Sequence, residues 1–383
     1  MTLTNLFKTP WPWFGGKSDA APSVWRALGD CEHYVEPFAG SLAVLLRRPH
    51  KCNRVYYSET VNDLDGLLCN AWRAMQQSPD AMADAASWPV SEADMHARHL
   101  ALLRWRDERN LERLMADPLW HDAEMAGWWA WGQSCWIGGG WCSGDGPWVV
   151  GDDGRIAKRE GKREPGVCRK RPHFGNNGQG VNHAGTREPG VSRQLPHLSD
   201  DGQGVNRPQA REPGVGEYHP MTMPELTRWF RFLSARLRHV RILHGDWTRA
   251  VTSGATKMIN VRINDGHCGI FLDPPYSAAA KRCDALYTSE DLDVANRVRQ
   301  WCIDNGDDKG LRIVLAGYDT EHTELEGRGW RVVEWYRKGF LKGGMANIGG
   351  TGNHQQKRER LWLSPHCLAD TRRRAMEQRG LFS

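Results

Sequence analysis

The chain has 383 residues, 40% of them apolar and 25% charged, with a formal charge of +5 and a mean hydropathy of −0.63. That length can bury a substantial core, and no stretch approaches the ~18 consecutive apolar residues of a membrane-spanning helix. The opening "MTLTNLFKTPWPWFGGK" lacks the basic-then-apolar layout of a secretory signal, while the mildly basic balance suits a polyanionic partner without requiring one.

In chain order, "WFGGK" at 13–17 is an aromatic followed by a permissive turn, leading into a predicted helix over Ser18–Leu28. "HYVEPFAGSLAVLLRR" then reads as the end of a buried strand at Tyr34 and Val35, a tight turn over Phe38–Ser41, and a helix start over Leu42–Arg48. A second strand, "NRVYYSE", is placed to end at Glu59, with "VNDLDGLLCNAWRAMQQ" following at helical spacing. This alternation is the signature of an α/β sheet unit.

Helical spacing with mixed charge continues over Pro79–Leu114. After Asp117, "AGWWAWGQSCWIGGGWCSGDGPW" mixes glycine with tryptophan and reads as too irregular for a long helix. A tandem repeat follows: "REPGVCRKRPHFGNNGQGVNHAGT" at 163–186 and "REPGVSRQLPHLSDDGQGVNRPQA" at 187–210, each of 24 residues. Gly/Pro-rich polar units of this kind argue for a duplicated loop, since stacked solenoid layers need more units and more apolar residues. From Arg155 to Val215 there are 12 Lys/Arg against 6 Asp/Glu.

The α/β pattern then returns. A helix is predicted over Pro224–Leu237 with Thr222 as its cap, followed by the strands "VRILHGD" and "CGIFL", the helix "DLDVANRVRQWCIDNG" and the strand "LRIVLAGYD". "WRVVEWYRKG" and "RERLWLS" are expected to form a terminal antiparallel pair. The ten cysteines contain no CxxC pair and read as reduced thiols in a cytoplasmic setting, with a zinc site at Cys135, Cys142 and a histidine as the lesser alternative.

The sharpest chemical feature is Asp273-Pro274-Pro275-Tyr276, directly after the apolar "GIFL". Two prolines stop regular structure at a strand's carboxyl end, where open α/β sheets bind ligands. A carboxylate beside a main-chain carbonyl can accept both hydrogens of a planar exocyclic amine. Tyr276 can stack on the base that bears it. "VEPFAGS", Glu36 to Ser41, is a small-residue turn into a helix that can cradle an adenosylated cofactor: Gly40 permits close approach and the helix-start N–H groups can meet a carboxylate. Leu42 stands where a dinucleotide-binding turn would want a glycine. Glu59, read as a strand end, offers a carboxylate to two ribose hydroxyls. Lys17 can neutralise a cofactor carboxylate or help place Asp273, and Trp13 or Phe14 can cover the cofactor.

Together these stretches resemble the Dam-like, D12-class family of adenine-specific DNA methyltransferases. They are "WFGGK", "VEPFAGS", "SETVND" at 58–63, "HGDW" at 244–247, "LDPPYS" at 272–277 and "RERLWLSPH" at 358–366. The resemblance implies a doubly wound sheet that uses S-adenosylmethionine (SAM) and no metal. Residues 1–75 and 222–383 would form the catalytic domain, and 76–221 an inserted target-recognition region. It further implies cofactor contacts from Trp13, Phe14, Gly15, Gly16, Lys17, Glu36, Pro37, Phe38, Gly40, Ser41, Glu59, Asp246 and Asp273, with Asp273 to Tyr276 surrounding an adenine flipped out of double-stranded DNA. A bacterial or phage origin and a role in host DNA modification or restriction avoidance also follow from it. Leu42 and Glu59 depart from the commoner glycine and aspartate.

Arg169, Lys170, Arg171, Arg193 and Arg207 are candidate DNA contacts in the basic repeat. The tetrad chemistry alone leaves cytosine N4 open as the target. An RNA or glutamine methyltransferase would favour asparagine at Asp273, and a non-enzymatic DNA-binding protein of the same fold would have no need to keep Asp273, Tyr276 and the Gly40 turn.

Overall fold

Apolar residues alternate along each central strand, and both alternating sets are buried, so the sheet must be covered on two faces. Leu311, Ile313 and Leu315 of one strand join one apolar cluster, while Val314 and Ala316 of the same strand join the other. The computed structural model describes residues 7–13, 15–49, 58–107, 109–136, 141–142, 148–150, 156–158, 223–257, 266–275, 289–335 and 358–368.

Among them, seven strands form one mixed sheet: β1 (His33–Glu36), β2 (Ser58–Asp63), β5 (Val240–His244), β6 (Cys268–Leu272), β7 (Leu311–Tyr318), β8 (Arg331–Glu334) and β9 (Glu359–Leu363). The order is β5-β2-β1-β6-β7-β9-β8. The first five strands are mutually parallel, and β9 runs antiparallel between β7 and β8. The terminal antiparallel pair expected from sequence is therefore present, with the later strand wedged inside. Chain order reverses between β1 and β6, which makes their carboxyl ends the topological switch point. The arrangement is consistent with a methyltransferase fold. A separate two-strand ladder pairs β3 (Trp148–Val150) with β4 (Ile156–Lys158).

One sheet face packs against α1 (Ala21–Leu28), α2 (Gly66–Gln77) and α7 (Met223–Leu237). The other is covered by α8 (Ser289–Asn305) through Val298 and Cys302, together with Trp247 and Trp330. The segment just after α1 comes so close to β6 that a Cβ at Gly269 would lie 2.7 Å from Cys31 Sγ.

Four sequence expectations are corrected. The stretch Leu42–Arg48 forms only a 3₁₀ turn, Leu45–Arg47. The second strand begins near Glu59 and runs to Asp63, because Thr60, Val61 and Asn62 are the buried positions that pair with β1 and β5. The single helix expected over Pro79–Leu114 is three: α3 (Pro79–Ala86), α4 (Glu92–Asp107) and α5 (Asn110–Ala116). The first break falls at the segment around Pro89, whose ring disfavours helix in the residue before it.

The tryptophan-rich stretch forms a regular helix, α6 (Ala123–Cys135), capped by Asp122, whose carboxylate accepts the Met125 N–H at 3.0 Å. Its glycines mark packing positions. A Cβ at Gly127 would meet Ala85 Cβ at 2.4 Å, and one at Gly132 would meet the Trp141 ring at 2.0 Å. Trp129 and Trp131 are buried, as are Trp72 and Trp229. The helices of 79–135 thus share one apolar cluster with α1, α2 and α7. Arg73 on α2 ties this layer to the sheet: its buried guanidinium donates to the carbonyls of Ile242, Leu114, Asp117 and Trp120.

Candidate active site

The parallel strands bring the ends of β1, β2, β5 and β6 to one edge, and the chain leaves that edge through Glu36, Asp63, Asp246 and Asp273. After Glu36 the turn Pro37–Leu42 is conformationally demanding. Gly40 has φ +47°, and a Cβ there would lie 2.8 Å from Trp13 Nε1. Leu42, fully buried, has φ +53°, a left-handed conformation unusual for a branched side chain. The glycine that a dinucleotide turn would place there is the residue this backbone favours.

The carboxylate at the end of β2 is Asp63. It accepts the Gly40 N–H at 2.9 Å and the Asp65 N–H at 3.0 Å. Burial pushes it up to about 6, against the pull of those N–H groups. On β1, Tyr34 and Glu36 lie two residues apart on one face, and the Tyr34 hydroxyl donates to Glu36 Oε2 at 3.0 Å. Burial, with the nearby Asp273 charge adding to it, pushes Glu36 up to about 8, although the Tyr34 hydrogen bond opposes this.

Asp273 follows β6 on the same side as the glycine turn. Its Oδ2 lies 2.9 Å from Lys17 Nζ, and Lys17 also donates to the Gly15 carbonyl at 2.9 Å. The "WFGGK" loop, with Gly15 at φ +73°, is thereby fastened to the first residue of the tetrad. Trp335, just beyond β8, places its ring 6.0 Å from Lys17 Nζ; no motif had pointed to it. Pro274 is buried and Pro275 partly so. Phe14 and Tyr276 lie outside the described residues, as do Arg169, Lys170, Arg171, Arg193, Arg207 and the Thr222 cap.

At the end of β5, Asp246 caps the 3₁₀ turn Trp247–Ala250 and lies 3.5 Å from Arg297. Burial would raise its pKa, but the Thr248 hydroxyl and amide and the Arg297 charge hold it below the usual carboxylate value. Phe38 stacks on Trp247 with centroids 6.0 Å apart. The Asn62 amide donates to the carbonyls of Pro37 at 3.2 Å and Gly245 at 2.9 Å, stitching the ends of β1, β2 and β5 together.

Glu59 is the correction among the site residues. It pairs with Tyr34 in register, whereas Val61 pairs with Glu36, so it lies toward the amino end of the sheet. Its carboxylate is held by Arg48 at 3.0 Å and Arg236 at 2.7 Å. Those guanidiniums outweigh the cost of burial and hold its pKa below the usual value. The strand boundary misled the sequence reading. "SETVND" carries two acids, and only the buried, strand-forming character of the residues between them reveals that the second one marks the end. Cys142 Sγ lies 3.8 Å from His99 Nδ1, and among the described residues no group of three ligand-type side chains gathers to hold a metal.

Residues 13–110 match the model of the D12 class N6 adenine-specific DNA methyltransferase family. The matched family implies an adenine-specific DNA methyltransferase enzyme. The match covers the "WFGGK" loop, the glycine turn, β1 and β2, and ends before the tetrad. No curated protein matches the chain. The family implies DNA as the methyltransferase's substrate and SAM as its methyl donor. Among the described residues, no helix is long and apolar enough to cross a membrane.

Proposed function

We propose that the chain transfers a methyl group from SAM to the N6 amine of an adenine swung out of double-stranded DNA, at a specific sequence. The observation that carries this reading is the 2.9 Å ion pair between Lys17 and Asp273, which joins the N-terminal cofactor loop to the tetrad at the switch point of the sheet.

The residues present fit the cofactor. Gly40 leaves a close approach that a Cβ would fill against Trp13. Asp63, at the carboxyl end of β2, is the carboxylate for the ribose hydroxyls in place of Glu59, and Asp246 at the end of β5 suits an exocyclic amine. Trp13, Gly15, Gly16, Lys17, Glu36 and the turn from Pro37 to Ser41 complete that side of the site. When bound, SAM supplies an electrophilic methyl on a sulfonium.

This chain's own residues do the rest. Asp273 and the Pro274 carbonyl accept the two N6 hydrogens, orient the nitrogen and stabilise the positive charge that grows on it. Lys17 holds the Asp273 carboxylate in place. Tyr276 stacks on the extruded base. Residues 76–221, with the arginines of the basic repeat, form the target-recognition region and contact phosphates.

Single-molecule sequencing of DNA from a methylation-free host expressing the chain tests the reading. N6-methyladenine at a defined motif supports it. N4-methylcytosine would transfer the assignment to the cytosine alternative, and unmodified DNA would remove it.

A further inference from the structure

We propose that Trp72, with Thr9, is a positioning residue for cofactor binding, acting by clamping the carbonyls of the glycine turn from behind; this rests on the function proposed above. Trp72 lies on α2, buried to 1% exposure, and its indole Nε1–H donates to the Gly40 carbonyl at 2.9 Å. The Thr9 hydroxyl, from the N-terminal segment, donates to the Ser41 carbonyl at 2.9 Å. Asn62 holds Pro37 in the same way at 3.2 Å. Three carbonyls of one short turn are therefore bound by side chains from three different parts of the chain.

The turn needs such clamping. Gly40 and Leu42 both have left-handed φ, +47° and +53°, and strained conformations persist only where the surroundings over-determine them. The Gly40 N–H is meanwhile committed to Asp63 Oδ2 at 2.9 Å. The two peptide planes that flank Gly40 are therefore each held by one bond, one to the β2 carboxylate and one to α2. Trp72 has a second set of neighbours: its ring lies 4.4 Å from Trp11, which lies 5.1 Å from Trp129 on α6. The indole thus links the tryptophan-rich helical layer to the backbone that would face the cofactor.

Trp72→Phe keeps an aromatic filler and removes the donor. Thr9→Val keeps the shape and removes the hydroxyl, and Thr9→Ser restores it. Calorimetric titration with S-adenosylhomocysteine is expected to show binding about tenfold weaker in Trp72→Phe and in Thr9→Val, the scale of one net hydrogen bond. Thr9→Ser should stay near wild type.

Without ligand, hydrogen exchange in a peptide covering 36–44 should speed up in the two donor-less variants. Methyl transfer should show a raised KM for SAM with kcat little changed. Unchanged affinity and exchange, accompanied only by a lower Tm, would overturn the proposal and leave both residues as ordinary packing. If Trp72→Phe fails to fold, the Thr9 pair decides. If the wild-type chain binds no S-adenosylhomocysteine, the functional reading fails with it. Normal wild-type binding with unaffected variants sinks this inference alone.

Discussion

Strand β2 carries an acid near each end, and the two are held in opposite ways. Near the amino end, Glu59 is gripped by two guanidiniums at 2.7 and 3.0 Å and has its pKa held down. At the carboxyl end, Asp63 is approached by backbone N–H groups and has its pKa pushed up to about 6. Glu36 on neighbouring β1, met by a tyrosine hydroxyl, is pushed to about 8. A carboxylate paired with buried arginines acts as a strut, because displacing its partners would strand two cations in the interior. One held by neutral donors, in a place where charge is costly, gains from a hydroxyl or a cation brought by a ligand. Position along a parallel strand decides which role is open, since open α/β sheets bind ligands at one edge.

The largest effect that can test this contrast is at the ligand edge. Asp273→Ala is expected to lower kcat for methyl transfer by about 10²- to 10³-fold, with DNA binding in a gel-shift assay largely retained; normal turnover would remove the mechanism. Next come the two ends of β2. Asp63→Asn should weaken S-adenosylhomocysteine binding by roughly 10- to 100-fold, the worth of a hydrogen bond to a charged group. Glu59→Gln should leave that affinity nearly unchanged but cost about 3 kcal/mol in denaturant unfolding, as breaking a buried ion pair does. The reverse pattern would restore Glu59 to the ribose.

Smaller effects appear in pH dependence. With Asp63 near 6, affinity for S-adenosylhomocysteine should fall as pH drops below that value, approaching about tenfold per pH unit, and Asp63→Asn should flatten the profile. Stability carries a pH dependence of its own. Glu36 titrates near 8 in the folded chain against a reference value of 4.5, so between those values the folded state holds a proton that the unfolded state has lost. Stability from this group therefore falls as pH rises through that window, by at most about 1.4 kcal/mol per unit. Glu59 has the opposite sign: its depressed pKa stabilises above the ordinary carboxylate range and that stability is lost in acid. Unfolding curves for Glu36→Gln should lose the decline toward pH 8, and those for Glu59→Gln should lose the acid-side loss.

Much of the sheet was legible in the chain because buried strands are written locally. Short, mainly apolar stretches running into "EPFAG", "HGD" or "DPPY" carry both the strand and its stop. The same local writing exposed the glycine turn and the acidic tetrad, and it anticipated Lys17 beside Asp273. What tertiary structure decided were matters of register and depth. Whether β2 ends at Glu59 or Asp63 depends on which residues pair with β1 and β5, a choice made across the sheet and not within "SETVND" alone. Whether "AGWWAWGQSC" is loop or helix depended on neighbours that need glycine at Gly127 and Gly132, against Ala85 and Trp141. Trp72 reads as one more apolar residue on a helix until the fold brings its N–H to the Gly40 carbonyl. Periodicity is a property of a segment, whereas a hydrogen bond between residues far apart in sequence exists only once the whole chain has closed.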